Sequence, residues 1–416
     1  MSELSIISRH AFTVLAGQLA VMAFGVTDTI VAGRHAQESL AALSIGSAVF
    51  ISVYVALMGV LQALLPVWAE QRGAGAQGAI GASVRQSLYL WAVACVLGMA
   101  VLLSPGPILQ WTEVPPELRG EVRTYLGVLA FGLPPALLFR IYSTLNQALG
   151  HPQLVTWLQV GSLALKVPLS IWFTFGGAGL APQGAAGCAW ATLAVNYGLL
   201  LVGWKMLRGH PMYAPLALWR PMERPDGAQL ARFMRLGLPA GLSILVEVTS
   251  FTLMALFIAR QGALASAAHQ IASNLAAVLY MVPLSLAIAT SARVSYWRGA
   301  GDEQRAGATA LKGFWLAALM GCALAATLSV ARQPIASLYS TSAEVVALAT
   351  SLLLWVAAYH VADALQTLCI FVLRSYRITL APLLVYGVLL WGVGLYGGYR
   401  LAYHGLAGWG PLHSPA

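Results

Sequence analysis

Apolar stretches of about 20 residues alternate along the chain with short breaks rich in charge, Pro and Gly, and each stretch has the length an α-helix needs to cross a bilayer. The breaks predict six spans near residues 10–33, 44–68, 86–107, 124–148, 155–176 and 186–204. After a polar connection carrying Arg220, Pro221, Glu223, Arg224, Pro225 and Asp226, five more are predicted near 236–259, 265–292, 313–331, 346–373 and 380–399. Within a bilayer only helices and closed barrels satisfy every backbone hydrogen bond. A barrel would show alternating segments of about 10 residues with turns between them, and this chain has none. The expected fold class is an all-α polytopic membrane protein.

The pattern also repeats. Arg72-Gly73-Ala74-Gly75 after the second span recurs as Arg298-Gly299-Ala300-Gly301 after the eighth, and Ile45 and Ile271 keep the same offset of 226 residues (298 less 72). Six helices per half return the chain to its starting side, so the copies insert in one orientation about an axis along the membrane normal. The expectation is two pseudo-repeated six-helix lobes facing a central cleft. Residues 1–207 form the N-terminal lobe, 208–232 a cytoplasmic connection and 233–416 the C-terminal lobe. The same offset places a twelfth helix near 412–430, whereas the sequence stops at Ala416. Eleven spans are visible, the twelfth is missing, and Gly408 to Ala416 reads as its lead-in.

Composition agrees: 59% of residues are hydrophobic and 9% charged, against about 25% charged in soluble domains. The formal charge of +9 is an orientation signal before it is a nucleic-acid signal. With the N-terminus cytoplasmic, 15 Lys and Arg fall on the cytoplasmic side and 6 on the other, leaving Arg140 and Lys166 inside spans. No nucleic-acid partner is needed. Cys95, Cys188, Cys322 and Cys369 lie in apolar runs without ligand spacing and read as packing residues rather than zinc ligands or disulfides. The first apolar run is too long for a signal-peptide core and should remain as a span. There is no phosphate-binding Gly-rich loop with its Lys-Ser/Thr and no His-Glu-x-x-His helix, so neither an ATP-driven machine nor a zinc protease is expected. It is expected not to be an enzyme and to need no cofactor beyond a coupling ion, its energy coming from an ion gradient.

An ionisable group deep in a span costs roughly 2.5–3.5 kcal/mol on insertion scales, so each demands a partner, a wet cavity or a task. Glu247, mid-span in Leu245-Val246-Glu247-Val248-Thr249, is the first candidate, because desolvation makes its proton or cation occupancy switchable. Asp363 follows Tyr359 by four residues, which puts carboxylate and phenol on one helical face as oxygen donors for a proton or hard cation. The alternative is a tyrosine capping a structural aspartate. His360 faces elsewhere. Asp28, toward the outer end of the first span, stands equally for a functional group or a solvated helix-end carboxylate. Lys166 either pairs with a carboxylate across the cleft or snorkels along its stem, a structural role in both cases, and Arg140 reads as an interfacial anchor. Pro134-Pro135 and Pro283 free backbone groups where helices can bend around a site.

These residues bring out a family likeness. Gly25-Val26-Thr27-Asp28-Thr29-Ile30-Val31-Ala32-Gly33, Gly237-Leu238-Pro239 leading to Glu247, and His269-Gln270-Ile271 through Met281-Val282-Pro283-Leu284-Ser285 carry it, with Arg298 to Asp302 and Tyr359 to Asp363. Over essentially its whole length the chain resembles the multidrug and toxic compound extrusion (MATE) family, in its NorM-type bacterial branch. The resemblance implies a two-lobed antiporter of the bacterial inner membrane that exports small cationic aromatic drugs or dyes in exchange for Na⁺ or H⁺. It matches Glu247, Asp363 and Tyr359 to the family's cation-coupling positions, as possible Na⁺ ligands, and Asp28 to its N-lobe aspartate, which adds Asp28 to the candidate set. Beyond organic cations and membrane lipid no partner is expected, and the protein should work as a monomer. Departures from the family pattern are Leu373-Arg374-Ser375-Tyr376-Arg377-Ile378, in place of a usual Leu-Arg-Gly-Tyr-Lys/Arg-Asp, and Lys166 where Asn is common. The competing functions are a lipid-linked oligosaccharide flippase of the same superfamily and, from a different class, an ion channel or membrane receptor.

Overall fold

The computed structural model describes residues 2–111, 114–177 and 179–404, so the expected lead-in at 408–416 lies outside the described residues. The chain runs α1 (Glu3–His35), α2 (Gln37–Gln62), α3 (Leu65–Gly73), α4 (Gln77–Leu103), α5 (Gly106–Trp111), α6 (Pro116–Ala148), α7 (Pro152–Phe175) and α8 (Ala185–Gly209). A 3₁₀ turn, Pro211–Leu216, leads to α9 (Gly227–Ala259), α10 (Ala263–Gly299), α11 (Glu303–Tyr339) and α12 (Ala343–Ser375). Then come α13 (Leu380–Tyr386), a π-helical stretch Gly387–Gly397 and α14 (Gly398–Tyr403). Counting α2–α3 and α13–α14 as one span each, eleven among the described residues are long and apolar enough to cross a membrane. They coincide with the eleven apolar stretches and mostly overrun them, because helices continue past the hydrocarbon boundary. The exception is α4, which stops at Leu103 instead of near 107, ahead of Pro105, whose ring disfavours helix in the residue before it.

The chain forms two compact units. The first comprises residues 12–241 and 295–303. Its centre is α6, the most enclosed of the spans, which packs on α2, α4, α7 and α8 through large side chains such as Leu126, Leu129 and Leu133. The helix passes through Pro134-Pro135 without a break. Pro135 has no N–H for the Phe131 carbonyl, which accepts the Tyr197 hydroxyl at 3.4 Å instead, while the Trp91 indole donates to the Pro134 carbonyl at 3.0 Å. Arg140, on this helix, is buried. The repeated Arg-Gly-Ala-Gly segments meet in this unit: a Cβ on Gly73 would strike the Tyr296 carbonyl, and one on Gly299 the Glu70 carbonyl. Only glycine permits that backbone contact. The connection after the 3₁₀ turn is strapped to α4. Arg85 Nε donates to Glu223 Oε2 at 2.8 Å and its Nη1 to the Ala217 carbonyl at 2.6 Å. Gln86 holds the Arg224 carbonyl and the Asp226 amide, at 2.9 and 3.0 Å.

The second unit comprises residues 2–11, 242–294 and the described residues from 304 onward. Its core, where α10, α11 and α12 meet, is lined by Ala268, Ala272, Ala336, Ala349 and Ala357 with Ile271, Leu328 and Leu353. Small residues let helices approach closely in lipid, where packing replaces the hydrophobic drive. Arg293 grips Glu3 through Nε at 3.0 Å and Nη2 at 2.6 Å. Trp315, Val330, Leu338 and Trp355 stand 70–86% exposed, as lipid-facing side chains do.

Candidate functional site

In the second unit α9 supplies Glu247 and α12 supplies Tyr359 and Asp363. The four-residue spacing acts as expected: the Tyr359 hydroxyl donates to the Asp363 carboxylate. Asp363 is 5% exposed while the phenol is 43% exposed, so the pair spans from interior to surface. Glu247 is half-buried and feels the Asp363 charge. Its turn of α9 is clamped at one point, the Val246 carbonyl, which accepts Ser250 Oγ at 2.6 Å and the Trp391 indole at 3.2 Å. Trp391 comes from the π-helical stretch.

Three further residues join this neighbourhood that the sequence had not marked. Tyr280 from α10 and Tyr386 from α13 interact with both carboxylates, and Arg374 in the last turn of α12 interacts with Glu247. Arg374 lies at the end of its apolar stretch, yet it is 4% exposed and its guanidinium lies 4.6 Å from the centre of the Phe371 ring. A signal existed: Arg374 follows Asp363 by eleven positions, three helical turns, which returns it to the same face. His360 is turned into an apolar gap among Val282, Pro283 and Met320.

In the first unit Asp28 is buried rather than solvated. Lys166, fully buried on α7, sits against both carboxylate oxygens, 2.7 Å from Oδ1 and 2.9 Å from Oδ2. Ser170 donates to Oδ1 at 3.0 Å. Of the two options for Lys166, pairing prevails over snorkelling, and the partner lies within its own unit rather than across a cleft. Among the described residues no group of three or more His, Cys, Asp or Glu could hold a metal ion.

Bilayer-length helices with carboxylates enclosed among them define a multi-pass membrane protein carrying ionisable groups inside its bundles. The MatE family model matches residues 14–172 and 239–399, once in each half, and the chain belongs to the MATE family, in its NorM-type branch. It is 38% identical over 395 residues to the probable multidrug resistance protein NorM of Aromatoleum aromaticum, covering 95% of this chain and 85% of that one. It is 34% identical over 412 residues to the multidrug resistance protein PmpM of Pseudomonas aeruginosa, covering 98% and 85%. Among solved structures the fold matches the outward-facing conformation of a multidrug resistance MATE family transporter with a TM-score of 0.86 at 17% identity, covering 97% of this chain and 89% of that one. It also matches the bent form of the Vibrio cholerae MATE transporter VcmN with a TM-score of 0.83 at 18% identity, covering 97% and 91%.

Proposed function

We propose that this protein is a secondary active multidrug efflux antiporter of the bacterial inner membrane, its N-terminus cytoplasmic, which exports cationic aromatic compounds in exchange for Na⁺ or H⁺ by alternating access. Its relatives carry the name multidrug resistance protein. The observation that carries the coupling is the group Glu247, Asp363 and Tyr359. A buried Asp363 whose charge is felt by a half-buried Glu247 makes the pair costly while both are ionised. A proton or Na⁺ relieves that cost, and a conformation that encloses the pair more tightly gains more from the relief. The ion therefore favours one access state and its release the other, since a ligand shifts an equilibrium only by its differential affinity. Tyr359 supplies the third oxygen.

A flippase for pyrophosphate-linked lipids would set cations toward its substrate. Lys166, one of the two intramembrane cations of the first unit, is instead committed to Asp28, which favours the antiporter. A channel would carry current without stoichiometric exchange. The test is dye efflux from vesicles under an imposed Na⁺ gradient and, separately, under a pH gradient. Efflux under one of them is expected and identifies the ion. Absence of movement under both removes the reading.

A further inference from the structure

We infer that Lys166 is the resident counter-cation of Asp28: its ammonium fills the oxygen cage that a transported ion would otherwise occupy, so the cycle takes up its coupling ion on the second unit's carboxylates alone. The inference rests on the proposed antiport for its consequence, but the cage itself stands on geometry. Lys166 Nζ is surrounded by Asp28 Oδ1 at 2.7 Å, Asp28 Oδ2 at 2.9 Å, the Cys188 carbonyl at 3.1 Å and Thr192 Oγ1 at 2.7 Å. All of these act as acceptors. The Thr192 hydroxyl hydrogen is committed to the Cys188 carbonyl at 3.0 Å, and the Ser170 hydroxyl hydrogen to Asp28 Oδ1. An ammonium has three N–H donors and no acceptor, and the ionised Asp28 carboxylate, the Cys188 carbonyl and Thr192 Oγ1 supply an acceptor for each. The remaining titratable groups facing Asp28 are Tyr125 on α6 and Cys188 on α8, both uncharged in their ordinary forms.

Oxygen donors around a carboxylate are what a hard cation seeks. Here a side chain supplies the positive charge, and Lys166 cannot leave with the cargo. Without it, Asp28 would face Ser170, Thr192 and the Cys188 carbonyl with no cation of its own, and would draw a proton or Na⁺ from solution. Lys166 is thus a residue that sets ion stoichiometry.

The experiment compares wild type with Lys166→Asn in proteoliposomes, finding the drug gradient at which net flux stops against an imposed ion gradient. The ratio of ions to drug should rise by one in the variant. An unchanged ratio in an active variant overturns the inference. A second measurement needs no transport and no variant. Dicyclohexylcarbodiimide modifies carboxyl groups that are protonated in apolar surroundings, and peptide mass spectrometry locates the label. In the purified wild type at mildly acidic pH, Asp28 should stay unlabelled; label on Asp28 overturns the inference. If the wild type moves no drug under any gradient, the antiport reading fails, while the labelling result still supports or overturns the resident cation.

Discussion

Breaking the Asp28–Lys166 pair from one side should cost far more than removing it whole. Lys166 is 0% exposed and Asp28 8% exposed, so neither charge is solvated once its partner is neutralised. Removing one partner of a buried pair costs roughly 3–5 kcal/mol, whereas replacing both with apolar groups of similar volume is often neutral or stabilising. Asp28→Asn keeps an acceptor for the ammonium and belongs at the low end of that range. Lys166→Met leaves the carboxylate with Ser170 alone and belongs at the upper end. At about 2–4 °C per kcal/mol for a domain of this size, the single variants should each lose on the order of 10 °C. The double variant Asp28→Asn/Lys166→Met should lose markedly less than either. Thermal unfolding in detergent, followed by intrinsic tryptophan fluorescence, reads the difference. The exposed pair Arg298–Glu303, with Glu303 62% exposed, serves as the control. Glu303→Gln should shift stability by no more than about 1 kcal/mol. Losses in the double variant equal to the sum of the singles would mean that the two groups do not interact energetically, and the argument from burial would fall.

Glu247→Gln and Asp363→Asn should each abolish gradient-driven efflux while leaving detergent-extracted protein monodisperse, because the swaps keep shape and remove the exchangeable charge; wild-type efflux in both would displace the coupling site. Tyr359→Phe removes one hydrogen bond at a half-exposed position, so the apparent affinity for the coupling ion should fall about fivefold, roughly 1 kcal/mol, and an unchanged ion dependence would return Tyr359 to a structural role. Outside the membrane, Arg85 holds the Glu223 carboxylate down at about 2 from its ordinary 4.5. A depressed carboxylate contributes stability that is complete above its unfolded value and is lost as the pH falls from about 4.5 through about 2. Thermal stability of wild type and Glu223→Gln should therefore differ at neutral pH and converge in acid, and parallel curves across that range would contradict the strap.

Length and hydropathy made the spans legible, because about 20 apolar residues admit few alternatives to a membrane helix. The Tyr359–Asp363 pair was legible for a local reason, the four-residue spacing. Asp28 and Lys166 were not, since 138 residues separate them and their meeting depends on how α1 and α7 pack. The burial of Arg374 and Arg85 was not legible, because counting cations at span ends assumes that those ends face water, whereas these side chains turn inward along a helix face. Pro105 carried a stop signal for α4 that the hydrophobic run overrode.

The alanine seam of the second unit bears on how smoothly its helices can slide. Ala268, Ala349 and Ala357 present only methyl groups and backbone, so fewer side-chain rotamers interlock at their positions than at Ile271, Leu328 and Leu353 in the same cluster. Resistance to sliding within this cluster is therefore concentrated at Ile271, Leu328 and Leu353 and lowest along the alanine positions.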